Sequence, residues 1–162
     1  MFKLQSVRAD HEAMVLQFEL ENRAYFCASI SDRGDEFFEG FAERHRDLLA
    51  EEEAGVCAYF VLVDDDETVV GRFNLYDLVD GTAEVGYRVA ERVSGRGVAT
   101  SGLLELIQIA REKYGLRTLR ASTSDENAAS QRVLAKAGFV AIRPVEVGGK
   151  RGTCYELALE RL

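Results

Sequence analysis

The segment Glu91-Arg92-Val93-Ser94-Gly95-Arg96-Gly97-Val98-Ala99-Thr100 lies between a strand-like stretch and a strongly periodic apolar stretch. These residue types at this spacing suit one task, the holding of phosphate. A helix N-terminus offers N–H donors without intrahelical partners and the positive end of the helix dipole, and glycines let the backbone come close to an anion. The two familiar nucleotide fingerprints are absent: there is no G-x-x-x-x-G-K-[ST], and the position three residues beyond Gly97 is Thr100, which breaks G-x-G-x-x-G. The cradle therefore suits another phosphate ligand, and a tight strand-to-helix connection that binds nothing would have the same local sequence.

Composition narrows the setting. With 162 residues, 47% hydrophobic and 30% charged, the chain is expected to form one domain over 1–162 with a substantial core. Its first residues lack the apolar region of a signal peptide, and no run approaches the ~18 apolar residues of a membrane span, so a cytoplasmic protein without a membrane partner is expected. Cys27, Cys57 and Cys154 are widely spaced and form no ligand cluster with His11 and His45, so neither a disulfide framework nor a metal site is indicated. A net charge of −8 argues against a direct nucleic-acid partner. It suits a cationic substrate, or simply a soluble surface.

Stepping along the chain, residues 2–7 alternate as a strand, and Asp10 can cap a helix over 11–22. Asp35 opens a second helix, with Phe37, Phe38, Phe41, His45, Leu48 and Leu49 at three- and four-residue spacing, an aromatic stripe that reads as core. Strands at 56–63, 68–76 and 82–89 form an antiparallel meander through the acidic turn Asp64-Asp65-Asp66-Glu67 and the turn Asp80-Gly81. Beyond the cradle, Leu103, Ile107, Ala110 and Tyr114 mark a third helix stopped by Gly115, and 116–123 is again a strand. A helix between two strands is a crossover, which makes those strands parallel. A fourth helix over 127–137 ends at Gly138, and strands at 139–147 and 153–159 are joined through Gly148-Gly149-Lys150. The expected fold is an α/β (α+β) domain with a mixed, mostly antiparallel sheet of about seven strands and about four helices.

This order of elements resembles the GNAT superfamily of acetyl-coenzyme A-dependent N-acetyltransferases over nearly the whole chain. Three ordered motifs carry the likeness further: Ala83-Glu84-Val85-Gly86-Tyr87 before the Gly95-Arg96-Gly97 turn, then Asn127-x-x-Ser130, then Lys136-Ala137-Gly138-Phe139. Together they are similar to the RimJ/RimL-like branch, which acetylates ribosomal-protein N-termini. The family's pyrophosphate motif, [Q/R]-x-x-G-x-[G/A], fits in two registers: Ser94-x-x-Gly97-x-Ala99, with Ser in place of Gln or Arg, and Arg92-x-x-Gly95-x-Gly97. The distance from Tyr87 favours the first. In either register, backbone N–H groups from about Gly95 to Thr100 would hold the diphosphate of acetyl-CoA, with Arg92 or Arg96 adding charge. The resemblance thus implies Ser94, Gly95, Arg96, Gly97, Val98, Ala99 and Thr100 as cofactor-binding residues. It also implies that the strand ending near Val89 splays from its parallel neighbour, so that unpaired edge groups bind the pantetheine arm and an N–H near Val89 faces the oxyanion.

An amine attacking a thioester must lose a proton, and a thiolate must leave. Glu84 is the candidate base, acting through a water. Alternation puts it with Gly86 and Arg88 on one strand face, where Gly86 would leave room for substrate and where simple pairing of Glu84 with Arg88 is the structural alternative. Many family members carry a Tyr acid two residues before the Lys of K-x-G-F, but here that position is Leu134. The resemblance instead implies Ser130 as the hydroxyl near the departing sulfur and Asn127 as the residue that orients the pantetheine or the helix start, though both positions also suit ordinary capping. Asp77 and Asp80 follow the second meander strand, as a solvated turn or an attraction for a cationic amine, and Tyr76 and Tyr87 are candidates for either the acceptor pocket or the core. The expected activity is direct acetyl transfer from acetyl-CoA to a primary amine, foremost a protein N-terminal α-amino group. The alternatives are a small cationic amine such as a polyamine or aminoglycoside, and a non-catalytic acyl-CoA-binding sensor. A homodimer is compatible with this reading.

Overall fold

The computed structural model describes residues 1–159. In chain order the elements are β1 (Lys3–Ser6), α1 (Glu12–Glu21), α2 (Arg23–Cys27), α3 (Asp35–Glu39), α4 (Phe41–Glu53), β2 (Ala58–Val63), β3 (Val69–Val79) and β4 (Thr82–Val89), then α5 (Val98–Glu112), β5 (Thr118–Ser124), α6 (Ala128–Lys136), β6 (Val140–Val147) and β7 (Lys150–Ala158). The seven strands form one sheet in the order β1-β2-β3-β4-β5-β7-β6. Every pairing is antiparallel except β4 with β5.

The meander, the crossover and the C-terminal hairpin lie where apolar period and turn residues put them, while the described residues form six helices rather than about four. The aromatic helix breaks at Gly40, which caps the end of α3 and the start of α4, and glycine is a poor residue for a helix interior. β3 runs past Tyr76 to Val79 through an irregularity at which Asp77 takes a positive φ of 53°. β7 begins at Lys150 rather than 153, because Gly148 and Gly149, with φ of 56° and 80°, turn the chain so tightly that Val147 pairs with Lys150.

Helices cover both faces of the sheet. On one face Arg72 of β3 and Arg88 of β4 reach Glu19 of α1 at 2.9 and 3.1 Å, and Tyr59 of β2 bonds Glu51 of α4. Glu19 is 2% exposed, and removing it would leave two guanidinium groups confined without a counter-charge, which in comparable buried pairs costs ~3–5 kcal/mol. Across the sheet, Phe73 packs against α5 so closely that a Cβ on Gly102 would lie 2.4 Å from its ring. The core contains Val15, Phe18, Phe73, Leu75, Leu103, Leu106 and Leu119. Among the described residues no helix is long and apolar enough to cross a membrane, and no group of His, Cys, Asp and Glu could hold a metal ion.

Candidate active site

The parallel pair is short. Only Thr82–Thr118, Ala83–Leu119 and Glu84–Arg120 are in register, although β4 continues to Val89 and β5 to Ser124. Beyond Glu84 the two strands part, and the expected wedge opens inside the sheet.

Two cavities of about 460 and 480 Å³ run along this wedge and share Ser29, Ile30, Tyr87, Asn127 and Ser130. The first holds the cradle. Gly95 and Gly97 adopt left-handed φ of 74° and 76°, a conformation that costs side-chain-bearing residues strain, and Gly97 is the N-cap of α5 with no side-chain cap. The N–H groups of the first turn of α5 are thereby left for a ligand. Ser94, Gly95, Gly97, Val98, Ala99 and Thr100 line this cavity, as does Val89, which lies past the last register pair of the wedge.

The local cations differ from those expected. Arg92 is held by Asp64 at 3.0 Å, and Arg96 turns back to donate to the Arg92 carbonyl at 2.6 Å, so both guanidinium groups brace the loop. Ser94 likewise turns its hydroxyl to the Glu91 carbonyl at 2.7 Å. The cations on the first cavity are Arg88 of β4 and Arg132 and Lys136 of α6. Arg132 and Lys136 are four residues apart, one turn of α6, and that helical spacing was the signal in the sequence that could have found them. No carboxylate lines this cavity among the described residues. Left-handed glycines, an uncapped helix start and cations alone on the walls fit a polyanionic coenzyme A.

The second cavity opens on the other side of the wedge, between β4, β5, the segment after α2 and the β6–β7 hairpin. Its walls are apolar or hydroxylic, with Val85, Ala121 and Leu134 beside Ser29, Ser31 and Ser122. Lys150 contributes the one formal cation, paired with Glu126 at 3.0 Å, and among the described residues no carboxylate lines the cavity.

The expected catalytic residues separate. Ser130 stands at the junction of the cavities, and Asn127 caps α6 by accepting the Ser130 N–H at 3.2 Å, so the capping reading of Asn127 holds while it also walls both cavities. Glu84 is half-buried at the closed end of the wedge and lines neither cavity. It is not paired with Arg88, whose guanidinium is taken by Glu19 and lies 4.6 Å over the Phe26 ring; its register neighbours are Tyr76 and Arg120. Gly86 lines the second cavity, while on its Glu84 side the Tyr76 ring lies 2.9 Å from where a Cβ would stand. Asp77 and Asp80 line neither cavity. Of the two tyrosines that sequence reasoning left undecided, Tyr76 packs against the core and lines neither cavity, while Tyr87 walls both with its hydroxyl 3.1 Å from Ser130 Oγ. Burial pushes its phenol up, with the Ser130 hydrogen bond acting the other way.

Known proteins share this architecture. The chain matches the Acetyltransferase (GNAT) domain family over residues 3–140. It is 27% identical over 146 residues to the probable N-acetyltransferase YjcK of Bacillus subtilis (strain 168), which covers 83% of this chain and 80% of that one. In fold it is similar to a ribosomal-protein-S5-alanine acetyltransferase from Vibrio fischeri, with a TM-score of 0.89, 19% identity, and coverage of 97% of this chain and 92% of that one. It is also similar to Mycobacterium smegmatis RimJ in complex with CoA-disulfide, with a TM-score of 0.86, 23% identity, and coverage of 97% and 81%.

Proposed function

Given that this chain belongs to the GNAT acetyltransferase family and is an N-acetyltransferase, we propose that its acceptor is the α-amino group at the N-terminus of a protein and its donor acetyl-CoA. The first cavity takes the coenzyme, with its diphosphate on the Gly95–Thr100 amides and its other phosphate charge facing Arg132 and Lys136. The bound thioester supplies an activated acetyl group. The chain's own residues orient it, keep its carbonyl in the wedge near Val89 and receive the amine from the opposite side.

The observation that carries the acceptor assignment is the neutrality of the second cavity. An α-amino group has an ordinary pKa of about 7.7–8.0, against about 10.4 for a lysine-type amine, so roughly 2.5 units less work is needed to present it uncharged. A wall without carboxylates does nothing to hold a polycation, and it leaves room for an amine that sheds its proton readily. The net charge of −8 still favours approach of a basic partner protein over the outer surface, as ribosomal proteins are. A small cationic amine such as a polyamine or aminoglycoside draws support from the same net charge, but from nothing inside the cavity.

In this reading the first proton leaves the ammonium group through water, because no carboxylate wall can take it directly. Glu84, which lines neither cavity, is the base that receives it through that water, from the last paired position of β4 at the closed end of the wedge. Thiol release from acetyl-CoA, measured against peptides with free or blocked N-termini, spermidine and an aminoglycoside, tests the acceptor. Free N-termini should support turnover and blocked ones should not, while faster turnover of spermidine than of any peptide would defeat the assignment.

A further inference from the structure

Where the two cavities meet, the wall is a pair of hydroxyl groups from distant parts of the chain. Tyr87 Oη of β4 and Ser130 Oγ of α6 are 3.1 Å apart, and both residues face both cavities. The phenol is held firmly in place. Its ring stacks on Phe73 with centroids 5.7 Å apart and planes inclined by 14°, and Phe73 in turn fills the space that Gly102 leaves in α5. Burial raises the phenol above its ordinary value, so it keeps its proton at neutral pH. No carboxylate or imidazole lines either cavity among the described residues, and Leu134 on the second cavity is 1% exposed.

We propose that Tyr87 donates the proton to the departing coenzyme A sulfur, with Ser130 relaying a proton back to the phenolic oxygen. This rests on the acetyl-transfer reading of the wedge. The amine nitrogen bonds to the acyl carbon, and the carbon–sulfur bond breaks with its electron pair on sulfur. The Tyr87 proton moves to that sulfur. The remaining extra proton on the newly bonded nitrogen passes to the Ser130 hydroxyl as that hydroxyl gives its own proton to the Tyr87 oxygen. Both side chains end as they began, and the products are an N-acetylated amine and a free thiol. A phenol above about 10 gives its proton poorly to a thiolate of about 8.5, so refilling through Ser130 in the same step is what makes the transfer effective.

Tyr87→Phe keeps the ring and its stack on Phe73 and removes only the proton. With coenzyme A bound and no acceptor present, thiolate absorbance followed against pH should show the bound thiol titrating about one unit higher in the variant, since the wild-type phenol stabilises the thiolate. With an acceptor, kcat should fall on the order of 10²-fold while KM for acetyl-CoA changes less than about two-fold. Ser130→Ala should show a smaller loss, and the double variant should be no slower than Tyr87→Phe, as for two groups acting in one relay. An unshifted bound thiol, or a rate loss matched by lost coenzyme affinity, overturns the assignment. The titration needs no acceptor, so failure of every peptide in the panel would count against the acceptor reading alone.

Discussion

The two ends of the groove enclose similar volumes, about 460 and 480 Å³, and are built in opposite ways. The end proposed for the coenzyme is lined by Ser94, Gly95 and Gly97 to Thr100, whose backbone would supply the donors, with side-chain cations added from β4 and α6. The end proposed for the acceptor is assembled from five separate places in the chain, and its polarity comes mainly from small hydroxyls, with Lys150 paired to Glu126. Anions can be recognised by a short stretch of main chain, because amide N–H groups and a helix start are already a positive surface. An amine that must become neutral before it reacts has no such local recognition element, and the fold provides a shaped neutral wall instead.

Each end should respond to substitution without the other. The largest separation is expected from Gly97→Glu. The added Cβ meets no neighbour within 4 Å, so the damage comes from forcing a side chain into a φ of 76° and from placing a carboxylate against the diphosphate. Calorimetric affinity for acetyl-CoA should drop about 100-fold or more; retention within about three-fold would move the phosphate site elsewhere. Glu84→Gln should lower kcat on the order of 10²-fold with coenzyme affinity intact, and should change the shape of the pH–rate profile. A profile identical to that of the wild type would remove Glu84 from the base role.

Smaller effects sharpen the same contrast. Arg132→Ala combined with Lys136→Ala should weaken acetyl-CoA about ten-fold at low salt and less at high salt, leaving the acceptor KM as it was. Equal loss at both salt concentrations would argue against a phosphate contact. Lys150→Glu should act on the other end, raising turnover of spermidine relative to a peptide by about three-fold without altering coenzyme affinity. A change in coenzyme affinity there would mean that the two ends are not separate.

Much of the frame and one end of the site were legible in the sequence because their signals are local. Apolar period placed the meander and the crossover, and glycines placed the cradle and the hairpin turn at Gly148 and Gly149. Gly40 was visible too, but one aromatic stripe runs across it, and the period hid the break between α3 and α4. The contacts that define the junction were out of reach. Tyr87 meets Ser130 across 43 residues, and Arg88 meets Glu19 across 69, so a strand pattern that suggested Arg88 as a neighbour for Glu84 had no means of showing the helix that takes its charge. Arg92 and Arg96 were read as ligands by proximity in sequence, whereas Asp64, 28 residues before Arg92, had already claimed one of them.

Gly102 lies inside α5, where a glycine weakens a helix by roughly 1 kcal/mol relative to alanine. An engineer seeking heat resistance would choose that position first, since alanine usually improves such a site. Here the missing methyl is the socket into which Phe73 fits, and Phe73 is the flat support beneath the Tyr87 ring. The helix that begins at the Gly95–Gly97 turn thus sets, four residues inside its start, the height of an oxygen atom where the two cavities meet. Ruggedness and chemistry are coupled through a single vacant methyl position.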